Sequence, residues 1–291
     1  MFQAPKVAVL RGLSTSFAQC VTSIDLNAAG AINMQKAQEQ HERYTETVRA
    51  CVEKTVEVES DSAHPDCCFV EDTLVVCGAT AVVNSMGHQT RRGEVGPVRA
   101  ALSQVPAITN IRIMTDEAPG AHIDGGDVLT MPGHQFVGLS NRSNLKGVEY
   151  LRSVFSTPAN NNIQVHAIDM LKITGTTLHL KCLVSALNQS TIVVADNPAG
   201  RAVFEEMKLI SGGTNGSDSS FLPIYVPDEV AANVLAFPWA LPQPTVVVQA
   251  NFPESEKILR ASVPDSWKVV TLDMSELIKA DGALTCCSVL I

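Results

Sequence analysis

A strand–strand–helix–strand unit recurs along this chain, and that repeat limits the folds open to it more than any other feature. Residues 123–155 show it most plainly. I-D-G-G-D-V-L-T reads as a strand, M-P-G-H as a turn and Q-F-V-G-L-S as a second strand. N-L-K-G-V-E-Y-L-R-S-V-F then sets Leu145, Val148, Leu151 and Phe155 on one helical face, and I-Q-V-H-A-I at 163–168 supplies a third strand. Upstream, C-F-V-E-D-T-L-V-V, T-A-V-V-N-S, a helix from about Glu94 and N-I-R-I-M-T repeat the order. Downstream it recurs twice. One copy is L-H-L-K-C-L-V-S-A-L, S-T-I-V-V-A, A-G-R-A-V-F-E-E-M-K-L and L-P-I-Y-V-P. The other is V-A-A-N-V-L-A-F, T-V-V-V-Q-A, P-E-S-E-K-I-L-R-A and K-V-V-T-L-D.

A fifth copy is completed only by joining the two chain ends. T-C-C-S-V-L-I gives its first strand, K-V-A-V-L-R its second, a helix near Met34–Val52 its third element and T-V-E-V-E its last strand. That helix carries Met34, Ala37, His41, Tyr44, Val48 and Cys51 at three-to-four spacing. Such a ring, closed by its own termini, leaves no open sheet edge of the usual kind. The expected architecture is therefore an α/β propeller of five blades in a single domain spanning 1–291, with the C-terminal strand as its clasp.

Each first strand carries a polar residue in its apolar run: Glu71-Asp72, Asp124, His179, Asn233 and Cys286, with Asp72 and the later four spaced by 52, 55, 54 and 53 residues. In a radially repeated fold these converge on the axis. Taken singly each has a plain structural reading. Cys286 is an apolar-strand filler, D-G-G-D at 124–127 is a tight turn, and a lone histidine is a core residue. His41 fits a helix face, and His64, His88, His122 and His134 fall in loop-like stretches. V-E-D resists that treatment, because two adjacent carboxylates in a hydrophobic run need a cationic partner.

Composition narrows the chemistry. A net charge of −9 disfavours a nucleic-acid surface, which wants clustered Lys and Arg. No apolar run approaches a membrane span, and the first residues do not read as a signal peptide, so reduced cysteines in the cytoplasm are expected. The eight cysteines include no C-x-x-C, and the C-C pairs at 67–68 and 286–287 point to opposite faces of a strand, so a structural zinc site is not expected. No phosphate-binding glycine motif is present. G-G-T-N-G-S-D-S-S at 212–220 reads as a solvated loop.

The motifs P-D-C-C-F-V-E-D (65–72), I-D-G-G-D-V-L (123–129), F-V-G-L-S-N-R-S-N (136–144), L-H-L-K (178–181), V-P-D-E-V-A-A-N (226–233) and D-G-A-L-T-C-C-S-V-L-I (281–291) together resemble the dimethylarginine dimethylaminohydrolases of the pentein superfamily. The resemblance runs along most of the chain and implies the same five-bladed fold. It also implies hydrolysis of an Nω-methylated arginine to citrulline and an amine, with no cofactor and a small guanidino molecule as the partner. By the same resemblance Cys286 is the nucleophile, His179 the general acid/base and Asp124 its support. Asp66, Glu71 and Asp72 hold the guanidinium, Arg91 and Arg142 the amino-acid end, and Ala280 offers a backbone contact. Zinc at Cys286 and His179 would be adventitious and inhibitory. The chemistry suits the residue types: a guanidinium carbon is a weak electrophile that calls for a thiolate, and carboxylates match its planar donors. Residues 12–33, a lid-like stretch, depart from the animal enzymes and leave the substrate preference open. An arginine deiminase and a non-catalytic regulatory relative are the alternative readings.

Overall fold

Fifteen strands among the described residues assort into five sheets of three. In the computed structural model residues 6–160, 162–175, 177–212 and 221–291 are described, so most of the 212–220 loop lies outside them. The first sheet joins β1 (Val7–Arg11) and β2 (Lys54–Val58) to the last strand, β15 (Ser288–Leu290). The others follow in order: β3 (Leu74–Cys77), β4 (Thr80–Val83) and β5 (Asn110–Ile113); β6 (Val128–Met131), β7 (His134–Leu139) and β8 (Gln164–Asp169); β9 (Val184–Ala186), β10 (Thr191–Ala195) and β11 (Leu222–Val226); and β12 (Leu235–Phe237), β13 (Thr245–Gln249) and β14 (Lys268–Leu272). In every blade the middle strand runs antiparallel to the first and parallel to the third.

The parallel pair in each blade demands a crossover, which a helix provides. These are α1 (Met34–Arg49), α2 (Val95–Ala101), α3 (Leu145–Phe155), α4 (Pro198–Ser211) and α5 (Pro253–Ser262). Asparagine starts three of them. Asn33, Asn144 and Asn197 each accept a hydrogen bond from the backbone N–H three residues on, and α4 and α5 have proline in the first turn. Covered on both faces, the middle strands of three blades are buried throughout and read as continuous apolar runs, V-A-V-L-R, T-A-V-V and T-V-V-V-Q, while β7 and β10 are partly exposed only at their ends. The expected inner face of α1 holds at Ala37, His41, Tyr44 and Val48. On α3, Val148, Leu151 and Phe155 are buried, whereas Leu145 is 53% exposed because it occupies the first turn, outside the core. His134, expected in a loop, opens β7.

The clasp is as expected. Leu290, Val289 and Ser288 pair with Ala8, Val9 and Leu10, and the Ile291 backbone exchanges hydrogen bonds with Val7. The Tyr44 hydroxyl, buried under α1, hydrogen-bonds Ser288 Oγ at 2.8 Å and ties the helix to the clasp. None of the cysteines is in a disulfide. No helix among the described residues is long and apolar enough to cross a membrane.

Candidate active site

The convergent residues do not lie on the strands themselves. Each blade enters its first strand through a single 3-10 turn: Val70–Thr73, Gly125–Asp127, Leu180–Cys182, Glu229–Ala232 and Thr285–Cys287. Glu71 and Asp72 lie within the first turn, and Asp124 and His179 immediately precede the second and third. Asn233 follows the fourth, and Cys286 is central in the fifth. The expected strands are thus shorter than the apolar runs, and the five positions are not equivalent by register. Convergence arises instead because consecutive turns pack on one another, 285–287 on 70–73, then 125–127, 180–182 and 229–232. Asn233 closes the circle: it accepts from the Thr285 N–H at 2.9 Å and donates to Thr285 Oγ1 at 3.1 Å and to the Lys181 carbonyl at 2.9 Å.

One arc of the circle is an acid–imidazole cluster. His179 Nε2 lies 3.3 Å from Asp124 Oδ2, and one ligand atom each of Asp72, Asp124 and His179 falls within 4.8 Å of the others. The glycines of D-G-G-D explain how these groups approach so closely. A Cβ on Gly125 would stand 2.1 Å from the Glu71 carbonyl oxygen, and one on Gly126 would stand 2.6 Å from His179 Nδ1. The bare Gly126 N–H donates to Asp72 Oδ1 at 2.8 Å, while Asp124 accepts from Gly87 N–H at 2.9 Å. Burial opposes a charged imidazole, but the carboxylates of Asp72, Asp127 and Asp124 outweigh it and hold His179 at about 9. His179 is therefore an imidazolium at neutral pH. Asp72 is held well below the ordinary range: burial works against it, and His179, Arg91 and the Gly126 N–H overcome that. Cys286 is not in this trio.

The opposite arc holds the thiol. Cys286 is partly exposed, whereas Cys287 is fully buried. Burial and the charges of Glu71 and Asp72 push the Cys286 thiol well up. Glu71 itself is clamped: Lys181 Nζ forms an ion pair with one carboxylate oxygen, and the Thr285 hydroxyl donates to the other at 2.9 Å.

Among the expected substrate residues, Glu71 and Asp72 are neighbours in one turn, and Asp66 shares the charge of Arg91 with Asp72. Asp66 is 4% exposed and receives the Val21 N–H of the lid, and the charges it faces are Arg91, Arg142 and His88. Arg91 is buried, donating to Asp72 at 2.7 Å, to both oxygens of Glu94 and to the Phe69 carbonyl. Arg142 is nearer the surface, with a guanidinium nitrogen 3.7 Å from Asp124. Ala280 is buried in the segment that anchors the lid, where Thr22 donates to the Lys279 carbonyl and Ser23 donates twice to Asp281. Lys181, Glu94 and Thr285 were not among the expected site residues. Two of them carried a signal: Glu94 follows Arg91 at helical spacing, and Lys181 is one of the cations that V-E-D required.

A sequence profile described as arginine deiminase matches residues 17–219. The dimethylarginine dimethylaminohydrolase of Streptomyces coelicolor is 30% identical over 253 residues, covering 87% of this chain and 85% of that one. In fold, the chain is similar to a mutant dimethylarginine dimethylaminohydrolase from Pseudomonas aeruginosa complexed with citrulline, with a TM-score of 0.77, 21% identity and 99% and 100% of the two chains covered. It is also similar to the N-terminal domain of a cyanobacterial arginine dihydrolase bound to its substrate, with a TM-score of 0.73, 18% identity and 98% and 97% coverage. The shared five-bladed ring and the identity along nearly the whole length lead to one conclusion: this enzyme belongs to the dimethylarginine dimethylaminohydrolase family of the pentein superfamily.

Proposed function

We propose that the chain hydrolyses Nω-methylated arginine, asymmetric dimethylarginine or monomethylarginine, to citrulline and dimethylamine or methylamine. The observation that carries this reading is the convergence of an imidazolium, a carboxylate pair and a partly exposed thiol on one ring of turns. Glu71 and Asp72 hold the substrate guanidinium, whose positive charge offsets the two carboxylates that suppress ionisation of Cys286. The thiol then releases its proton to solvent, and the Cys286 sulfur attacks the guanidino carbon. His179, oriented by Asp124, gives its proton to the departing amine as the C–N bond breaks, leaving an S-alkylthiouronium on Cys286. The neutral imidazole next takes a proton from water, whose oxygen adds to the same carbon, and the C–S bond breaks to release citrulline. Arg91 reaches substrate only through Asp72 and its remaining donor, while Arg142 and Asp66 face the amino-acid end. No cofactor enters the scheme, and a tightly bound zinc would be an inhibitor here.

A second reading, free arginine as substrate, has the arginine deiminase profile in its favour. Both use the same machinery and differ in the space beside the guanidinium nitrogens. Citrulline release from asymmetric dimethylarginine, monomethylarginine, arginine and agmatine, assayed in parallel with Cys286→Ser as control, separates them. Turnover of the methylated substrates that Cys286→Ser abolishes is the expected result. Equal turnover of arginine favours the second reading, and no turnover of any substrate overturns both in favour of a non-catalytic role.

A further inference from the structure

The loop between β4 and α2 carries a half-buried histidine that the scheme above leaves unused. Its course is set by Gly87, where a Cβ would stand 2.2 Å from the Arg142 carbonyl oxygen, so the loop lies flat on the backbone of that arginine. Two further contacts pin it there: the Gly87 N–H to Asp124 at 2.9 Å, and Arg92 Nε–H to the Met86 carbonyl at 3.2 Å. The next residue, His88, is thereby held at the mouth of the site. Its Nδ1 lies 2.8 Å from Thr90 Oγ1, and Nε2 has no protein partner among the described residues. The charges around it are Arg142, Asp66, Arg91 and Asp124, which are groups assigned above to the substrate's amino-acid end and to the support of His179.

We propose that His88 is a specificity-determining residue, whose Nε2–H donates to the α-carboxylate of a guanidino amino acid alongside Arg142. The inference rests on the guanidino-amino-acid reading of the site. Burial and the neighbouring Arg142 lower the tendency of this ring to take a second proton, so it meets the substrate neutral. With Thr90 Oγ–H donating to Nδ1, the single ring proton sits on Nε2, the nitrogen free to face a ligand. A neutral donor next to a guanidinium suits a carboxylate, and it adds directional selection that one flexible arginine lacks.

The test is calorimetric binding in the Cys286→Ser background, which removes any dependence on turnover. The ligands are monomethyl-L-arginine and monomethylagmatine, which differ only in the carboxylate. His88→Ala is expected to weaken the amino acid by roughly ten- to a hundredfold, the range of a hydrogen bond to a charged group. It should leave monomethylagmatine within about twofold, and His88→Gln should retain most of the affinity through its amide N–H. Equal losses for both ligands would make His88 structural, and no loss for either would remove it from the subsite; each result overturns the proposal. If the parent protein binds neither ligand, the guanidino reading itself falls and takes this assignment with it.

Discussion

Replacing Lys181 by methionine should reveal how the ring keeps a carboxylate charged in its interior. The side chains of Lys181 and Glu71 are each 13% exposed, so their ion pair is nearly dry. Burial already pushes Glu71 up, and Lys181 is the largest influence opposing it. Removing one member of a buried pair costs about 3–5 kcal/mol. The slight exposure and the remaining Thr285 hydroxyl place the expected loss near the lower end, about 3 kcal/mol. Glu71 can escape this cost by taking a proton. The sign follows from proton binding. In the variant the folded state holds a proton on Glu71 over a range where the unfolded chain has already lost it, so stability falls as pH rises. Urea unfolding should therefore show a large gap from wild type at pH 8 that narrows towards pH 5. Protonated Glu71 no longer holds a guanidinium on the proposed mechanism, so the acid limb of kcat/KM should move to higher pH, and Lys181→Arg should restore it. A gap equal at both pH values, together with an unmoved acid limb, would refute the clamp.

Three further outcomes test the imidazole arc. Gly126→Ala sets a methyl group 2.6 Å from His179 Nδ1, so the ring must shift; kcat should fall at least about tenfold with KM little changed, measured by steady-state citrulline release. In wild type, kcat should decline as pH rises through about 9, where His179 loses the proton it gives to the leaving amine. Because its folded value lies above the ordinary 6.5, the ion pairs of His179 should stabilise the fold fully below pH 6.5 and be lost through about 9. A pH–rate profile flat to pH 10, or equal pH dependence of stability in His179→Asn, would contradict the assignment.

The repeat was legible because two periods alternate in the sequence. Runs such as T-V-V-V-Q and V-A-V-L-R are buried on both faces, and the helices between them show their own apolar stripes. The count of blades and the closure by the chain ends followed from that alone. What the sequence hid was the 3-10 turn before each inner strand. In F-V-E-D-T-L-V-V the apolar character continues across the turn into β3, so nothing in the pattern marks where extended backbone begins. Asp124 and His179 consequently sit just ahead of their turns, while Cys286 sits inside its own, despite nearly equal spacing. Partner choice was equally hidden. V-E-D demanded a cation, but Lys181 and Arg91 divide that duty, Lys181 pairing with Glu71 and Arg91 with Asp72, and only the packing of turns decides which meets which. Asp66 illustrates the same limit: six residues from Asp72 in sequence, it faces Arg91 and Arg142 and accepts the Val21 N–H, none of which its local sequence announces.

The charges around the ring give the two reacting groups opposite needs. Asp72 stabilises the His179 imidazolium and, with Glu71, suppresses the Cys286 thiolate. In this field His179 and Cys286 both keep their protons, so the two groups do not form the ready ion pair that would make an indiscriminate nucleophile. Only a cation placed between Glu71 and Asp72 changes this. On the proposed mechanism it offsets the field that held the thiol proton, while the nearby Asp124 and Asp127 keep His179 protonated for the leaving amine. A neutral ureido group such as citrulline brings no such charge, so on this reading the thiol regains its proton once product forms. On the proposed mechanism, activation of Cys286 is then conditional on the positive charge that identifies the substrate. The carboxylates that make the thiol inert at rest are the ones that select the molecule able to awaken it.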